Sequence, residues 1–154
     1  MLYFLDCEFN SFGGELISLA LAAENGKELY LARPREELDS LVLHHWVAAN
    51  VIPVLDLPEA SPEVLARARF AARLRQFLSG DPAPVILADW PEDISHLMQC
   101  LIVSPGQMVL LPTLTLRLIH APPRPDGFEG AVPHNALWDA RALRRGLMGT
   151  RSPQ

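Results

Sequence analysis

An apolar strand that carries two acids near its end constrains this fold more than any other stretch. Residues 2–9, LYFLDCEF, have the composition of a buried strand, with Asp6 and Glu8 two positions apart. Side chains alternate along a strand, so both carboxylates point to the face that Phe4 occupies, roughly 6.5–7 Å apart. Burying two like charges without a partner costs several kcal/mol. The fold must therefore bring positive charge to these acids or open the strand end to water.

Length and composition favour one globular domain. The chain has 154 residues, 49% of them hydrophobic and 20% charged, and we predict a single domain at 1–149 with a tail at 150–154. No apolar run reaches the ~20 residues of a membrane span, no basic leader precedes Asp6, and two cysteines are too few for a disulfide framework. We therefore expect a cytoplasmic protein without membrane contact. The net charge of −5 argues against a protein that holds nucleic acid mainly through a basic surface, but not against an enzyme that binds a few phosphates through metal ions.

The order of predicted elements indicates an α/β fold. Three strands at 2–9, 15–23 and 26–32 form an antiparallel meander, and a short apolar strand at 84–88 has the character of a central parallel strand. Residues 113–119 are either a further strand or an irregular segment. The predicted helices are 36–49, 61–78 with its Ser-Pro-Glu start, 92–102 and 135–148, and the predicted loops are 50–60 and 121–130. This pattern predicts a mixed sheet, part antiparallel meander and part parallel strands, flanked by helices.

Four further polar residues, two of which are rivals for one role, lie where a functional role has to be considered. Asp93 lies in the first turn of the helix that follows the buried strand, where an acid also complements the helix dipole. Asp89, at the strand end, is its rival as the site acid, although it is also explained as a helix cap. His134 and Asp139 are five residues apart, so they can meet only if His134 lies in the loop before the last helix.

Together these residues resemble a known enzyme family. Asp6-x-Glu8 in the first strand, a middle Asp opening a helix, and His134-x-Ala136-x-x-Asp139 near the C-terminus follow the order found in DEDDh 3′–5′ exonucleases, relatives of RNase T and of proofreading exonucleases. The resemblance spans nearly the whole chain and is greatest to short stand-alone exoribonucleases. Phe9-Asn10-Ser11 and LADWPED depart from the residues usual at two of the motifs.

The resemblance implies a ribonuclease-H-like fold and a metal-dependent reaction. It implies that two divalent cations, Mg²⁺ or Mn²⁺, are held by the four acids Asp6, Glu8, Asp93 and Asp139, and that His134 is the general base. One cation would contact Asp6, Glu8 and Asp139, and the other mainly Asp6. The implied partner is the 3′ end of RNA, with single-stranded DNA as a further substrate, and the implied assembly is a homodimer.

Several alternatives stay open on the sequence alone. Phe9 and Phe12 are candidates for stacking on the terminal bases, and packing in the core explains each equally well. Two sets of arginines could hold the phosphate backbone or form solvated helix faces: Arg67, Arg69, Arg73 and Arg75, and Arg141, Arg144 and Arg145. The alternative functions are a catalytically inactive nucleic-acid-binding or scaffold domain of the same fold and a different two-metal nuclease.

Overall fold

The first three strands form the antiparallel meander that the sequence predicts. The computed structural model describes residues 1–120 and 131–149, and in it β1 spans Leu2–Phe9, β2 spans Leu16–Ala23 and β3 spans Glu28–Ala32. All eight residues of β2 are buried, because both faces of the sheet are covered. The meander therefore lies in the interior and gives β1 a rigid setting.

The single helix predicted at 36–49 is wrong, since two short helices replace it. Helix α1 spans Arg35–Asp39 and α2 spans His45–Asn50. Between them the Asn10 side chain donates to the Val42 carbonyl at 3.0 Å and accepts from the His44 N–H at 2.7 Å. These tertiary hydrogen bonds hold the 40–44 segment against the β1–β2 loop, and they outweigh the helical spacing of its apolar residues.

The predicted helix start at Ser61 is also wrong. The Ser61 hydroxyl donates to the Asp56 carboxylate at 2.8 Å, and Glu63–Val64 forms a short strand, β4, parallel to β3. A 3₁₀ turn over Arg67–Arg69 then leads into α3, Phe70–Leu78. The backbone groups at the outer edge of β3 are hydrogen-bonded in this way. Local helix signals in the sequence cannot predict such a long-range pairing. The predicted loop at 50–60 contains a 3₁₀ turn over Ile52–Val54.

The second half of the chain follows the predicted order of strand, helix, strand and helix. Strand β5 spans Val85–Ala88 and helix α4 spans Pro91–Leu101. A hairpin that the sequence did not predict follows, made of β6, Ile102–Ser104, and β7, Gln107–Met108. The 113–119 segment contains a true strand, β8, Thr115–Leu118, and the last helix, α5, spans Ala136–Gly149. The predicted loop at 121–130 and tail at 150–154 lie outside the described residues.

The six-stranded mixed sheet confirms the predicted ribonuclease-H-like fold class. Its strand order is β4-β3-β2-β1-β5-β8, and β2 runs antiparallel to both of its neighbours while the other pairings are parallel. One core packs α3 and α4 on one face through residues such as Leu5 and Leu74. A second core packs α2 and α5 on the other face through residues such as Phe4 and Leu137. No helix within the described ranges is both long and apolar enough to cross a membrane.

The sheet opens beside the second half of β1. The pairing between β1 and β5 extends from Leu2 opposite Val85 to Phe4 opposite Leu87. Beyond Phe4 the chain after β5 leaves the sheet and enters α4. On this side of β1, residues past Phe4 such as Asp6 and Glu8 therefore lie next to a loop and a helix start, while their other side stays paired with β2.

Candidate active site

The two acids of β1 line a cleft at this open end of the sheet. The cleft has a volume of about 660 Å³, and its walls come from β1, the β1–β2 loop, α2, the start of α4 and the start of α5. Opposite the second acid, the register shifts from Glu8–Ser18 to Phe9–Leu16, which leaves Ile17 as an extra residue in β2. Such a bulge twists a strand locally and changes the direction of its side chains.

Asp6 meets two acids from the β5–α4 connection. Carboxylate oxygens of Asp6, Asp89 and Asp93 lie within 4.8 Å of one another. Asp89 directly follows β5, and Asp93 lies in the first turn of α4. From the sequence, Asp89 and Asp93 are alternatives for the middle acid of the site. In the structure both of them lie close to Asp6.

Asp93 is the most deeply buried acid of this group. Its residue is 2% exposed. Burial, followed by the charge of the neighbouring Asp89, raises the pKa of Asp93 to about 8. A buried carboxylate beside other carboxylates is costly in its charged form, and a bound cation would relieve that cost.

Glu8 lies close to His134 and Asp139, the two residues predicted to meet at the start of α5. Donor atoms of Glu8, His134 and Asp139 lie within 4.8 Å of one another. His134 precedes the helix with a φ of 66°, and its backbone N–H donates to Asp139 Oδ2 at 3.1 Å. The left-handed backbone is what lets the loop residue reach back over the first turn, as the five-residue spacing requires.

Asn135 holds this loop and helix start in place. It is fully buried, and its Oδ1 accepts from the N–H groups of Leu137 and Trp138 at 3.1 and 3.2 Å, as a helix cap does. Its Nδ2 donates to the Val54 carbonyl at 2.8 Å and to the Tyr30 hydroxyl at 3.3 Å. Asn135 therefore ties the His134 loop to β3 and to the 3₁₀ turn. The sequence pattern predicts Asn135 only as the first residue of the last helix.

Phe9 and Phe12 have different environments. Phe9 lies in the cleft wall but packs against the His96 ring, with ring centroids 4.7 Å apart, and against the core. Phe12 lies on the cleft rim and is 90% exposed. Of the two, Phe12 has the open ring face that base stacking requires.

Two tryptophans that the sequence analysis did not assign to the site also line the cleft. Trp46, in α2, packs edge-on against the His134 ring with centroids 4.8 Å apart. Trp90, between β5 and α4, is 54% exposed. The sequence signal for Trp90 is its place two residues after a buried strand and next to Asp89.

The arginines lie away from the cleft, and Cys7 borders the cleft but packs mainly in the core. No arginine of the described chain lines it. Arg141 and Arg144 bind the Glu28 carboxylate, at 2.6 and 3.3 Å, and Arg73 binds Glu63 at 2.6 Å. Cys7 is buried in the core, and burial together with the charges of Asp93 and Asp6 raises the pKa of its thiol well above the ordinary value. A protonated thiol is a poor metal ligand.

The donor chemistry of the site fits divalent cations. The two donor groups comprise five carboxylates and one imidazole, with Asp93 buried among like charges. Hard oxygen donors of this kind suit Mg²⁺ or Mn²⁺. The resemblance implied one cation held by Asp6, Glu8 and Asp139. In the structure, donor atoms of Asp6 lie close to those of Asp89 and Asp93, and donor atoms of Glu8 lie close to those of Asp139 and His134. The acidic clusters are thus able to hold a metal.

Comparison with known proteins identifies relatives of this chain. No protein-family model matches the sequence. Two curated proteins, from Mycobacterium tuberculosis strains H37Rv and CDC 1551, are both named 3′–5′ exoribonucleases. Each is 35% identical to this chain over 162 aligned positions, which cover 94% of this chain and 90% of the relative.

Proposed function

The chain belongs to the 3′–5′ exoribonuclease family, and we propose that it removes nucleotides from the 3′ end of RNA in a reaction that depends on divalent cations. One observation carries the proposal: the two donor groups, Asp6–Asp89–Asp93 and Glu8–His134–Asp139, line the same cleft. Family membership supports the nuclease activity. The donor groups support the requirement for a cation.

The proposed cation ligands are Asp6, Glu8, Asp93 and Asp139, with Mg²⁺ or Mn²⁺ as the ions. When bound, two such ions stabilise the negative charge that develops on the attacking and leaving oxygens of a phosphodiester. The acids hold their places through the rigid β1 strand, the first turn of α4 and the capped start of α5. This arrangement needs little reorganisation when substrate binds, which favours catalysis.

His134 is the proposed general base. Histidine titrates near neutral pH, so as a residue type it can accept a proton from water under cellular conditions. Its ring lies in the cleft against Trp46, and its backbone N–H is held by Asp139. In this role His134 takes the proton of the attacking water while the acids hold the cations.

The direct test is digestion of RNA labelled at the 3′ or the 5′ end, with Mn²⁺ or with EDTA. We expect single nucleotides to be released from the 3′ end only, and EDTA to abolish the release. Internal cleavage would instead identify a different two-metal nuclease. Binding without any cleavage would identify an inactive nucleic-acid-binding domain. A single-stranded DNA of the same sequence, run in parallel, measures whether DNA is also a substrate.

Replacing His134 with Ala tests the general base. We expect a loss of roughly 10²–10⁴ in rate with the affinity for Mn²⁺ nearly unchanged. Because His134 also lies in a donor group, a variant that loses Mn²⁺ affinity in proportion to rate would make it a ligand instead. Full activity in the variant would remove it from the reaction altogether.

We further propose that the domain at 1–149 suffices for activity and that two copies form a homodimer. Support for the dimer comes from exposed apolar side chains between α4 and α5, namely Ile102, Val103, Met108, Leu110 and Leu118. Sedimentation equilibrium of the wild type and of Leu110→Asp tests it. A wild type that stays monomeric at high concentration contradicts the dimer without affecting the nuclease proposal.

A further inference from the structure

Glu92 joins two parts of the cleft rim that are far apart in sequence. Its Oε1 accepts from the Gly13 backbone N–H at 2.8 Å, and its Oε2 accepts from the Trp90 indole N–H at 3.1 Å. Gly13 belongs to the β1–β2 loop, and Trp90 is the N-cap residue of α4. One carboxylate thus connects the loop that carries Phe12 with the residue that carries the indole.

The β1–β2 loop is tightly built around Phe12. Ser11 and Gly13, on either side of it, have φ values of 66° and 67° in the left-handed region. The Gly14 N–H donates to the Ser11 carbonyl at 2.9 Å. A Cβ at Gly14 would lie 1.8 Å from the Asn10 carbonyl oxygen, so only glycine fits there. The loop holds Phe12 in an exposed position that hydrophobicity alone would not favour.

Glu92 lines the same cleft as the six donor residues, but it belongs to neither donor group. Both of its oxygens are instead used by hydrogen bonds from Gly13 and Trp90. Hydrogen bonds to an ionised acceptor are stronger than neutral ones. Its position fits a structural role better than that of a cation ligand. We call the pair of hydrogen bonds from Gly13 and Trp90 to Glu92 the clamp.

We propose that Glu92 is a positioning residue that holds Phe12 and Trp90 as two aromatic surfaces for an unpaired nucleobase of the substrate strand. The proposal rests on the proposed exonuclease function and extends it to substrate binding. Exposed aromatic rings bind bases of single-stranded nucleic acid by stacking, without regard to sequence. We therefore expect base-paired 3′ ends to bind poorly here, because their bases are not free to stack on Phe12 and Trp90.

Removing the charge of Glu92 distinguishes the proposed role from simple charge repulsion, because the two predict opposite changes in RNA affinity. A carboxylate near a polyanionic strand repels it, so replacing Glu92 with Gln should strengthen RNA binding if charge alone mattered. The clamp predicts the opposite. A glutamine amide offers one acceptor oxygen and an NH₂ donor, which cannot accept the second N–H. When one of the two hydrogen bonds is lost, either Phe12 or Trp90 is no longer held in position, and the affinity for RNA should fall.

The test compares steady-state kinetics of the wild type, Glu92→Gln and the control Glu36→Gln, which removes an exposed charge of α1 outside the cleft. We expect Glu92→Gln to raise KM for single-stranded RNA about tenfold with kcat within about twofold of the wild type. Glu36→Gln should match the wild type. An unchanged or lower KM in Glu92→Gln overturns the proposal.

A double-mutant cycle with Trp90→Phe shows whether the indole bond is the cause. Trp90→Phe keeps an aromatic ring but removes the N–H that Glu92 accepts. If both single variants break the same bond, their effects on KM should be strongly non-additive in the double variant. Fully additive effects would show that Glu92 does not act through Trp90, and they would overturn the part of the proposal that has Glu92 position the indole.

Two measurements that do not depend on turnover complete the test. An RNA with 2-aminopurine at its 3′ end and a non-hydrolysable last linkage should lose fluorescence on binding to the wild type, and less so with Glu92→Gln. Mn²⁺ affinity should be the same in both proteins. A reduced Mn²⁺ affinity would make Glu92 a ligand and overturn the clamp. If the wild type quenches the probe but does not shorten RNA, the exonuclease proposal fails while the clamp stands.

Discussion

Asp93 shows how a single residue links the electrostatics of this protein to its stability. Its carboxyl group is buried, and burial with the neighbouring Asp89 charge raises its pKa to about 8. The folded protein therefore binds this proton more tightly than the unfolded chain does. Stability that is present below the ordinary pKa of an aspartate is lost as the pH rises towards 8 in the absence of a cation.

Replacing Asp93 with Asn should stabilise the cation-free protein at high pH. Asn keeps the shape of the protonated acid but never ionises, so it avoids the cost of a buried charge. In EDTA we expect the free energy of unfolding at pH 8 to exceed that of the wild type by roughly 2–5 kcal/mol, and the difference to vanish near pH 4. Urea denaturation at both pH values measures it.

The control for this prediction is Asp39→Asn. Asp39 is an exposed acid at the end of α1, so its removal should change stability little and by the same amount at both pH values. A difference between Asp93→Asn and the wild type that does not depend on pH would show that burial of the charge is not the cause.

The sequence predicted which acids lie close together in the fold, but it did not predict what surrounds them. Asp6 and Glu8 could be found because two acids in an apolar strand need an explanation, and the spacing of His134 and Asp139 predicted that the histidine precedes the helix. Trp46 and Trp90 could not be found in this way. An aromatic residue has the same pattern in a core and on a rim, and only tertiary packing decides between them.

At the scale of elements, α5 is held against the sheet at its start and at its middle. Asn135 anchors its start, and Arg141 and Arg144 anchor its middle to the Glu28 carboxylate of β3. Burial raises the pKa of Glu28, but the hydrogen bonds and charges of the two arginines outweigh it, so the net pKa is lowered. Because α5 carries Asp139, this ion pair also fixes a wall of the cleft.

Glu28→Gln should weaken the protein in a pH-dependent way. A lowered folded pKa means that the stabilisation is present above the ordinary pKa of a glutamate and is lost as the pH falls through the folded value. With solvent screening of this partly exposed pair, we expect a loss of about 0.5–1.5 kcal/mol at pH 7 and almost none at pH 3. Thermal unfolding at the two pH values measures the change.

Glu63→Gln provides the matched comparison. Glu63 makes a single ion pair with Arg73 and is more exposed, with 42% of its side chain accessible against 23% for Glu28. Its replacement should cost less than that of Glu28 at pH 7. Equal losses of stability in the two variants would mean that the ion pairs between α5 and β3 stabilise the protein no more than the exposed Glu63–Arg73 pair does.

The elements that sequence patterns predicted well are those held by local or strongly apolar signals. Strand β1 was predicted to the residue, and α4 to within one residue at each end. The predicted helices around residues 40 and 61 failed where the chain bonds to distant partners, through Asn10 in one case and the edge of β3 in the other. Such long-range hydrogen bonds leave no periodic trace in the sequence.

For the whole molecule, the proposed cation sites predict a stability that depends on divalent ions in solution. A ligand that binds only the folded state raises the free energy of unfolding, by about 2.7 kcal/mol when its concentration is one hundred times Kd. We expect Mn²⁺ to raise the Tm of the wild type and of Asp39→Asn, and to have little effect on Asp6→Asn, which lacks a proposed ligand. Calorimetry with and without EDTA measures the shift. A wild type whose Tm does not respond to Mn²⁺ or Mg²⁺ would contradict the cation proposal.

The open end of the sheet also has a consequence for the order in which the chain folds. The β1–β2–β3 meander pairs neighbours in sequence, whereas β1 meets β5 across about 80 residues and Asp139 arrives on the last helix. Contacts between distant segments form more slowly than local ones. Asp6 and Glu8 are therefore in place early, but the donor groups are complete only when α4 and α5 have docked. In a chain that still lacks α5, the proposed cation ligands are incomplete because Asp139 is missing, so we expect no cleavage of RNA before this helix has docked.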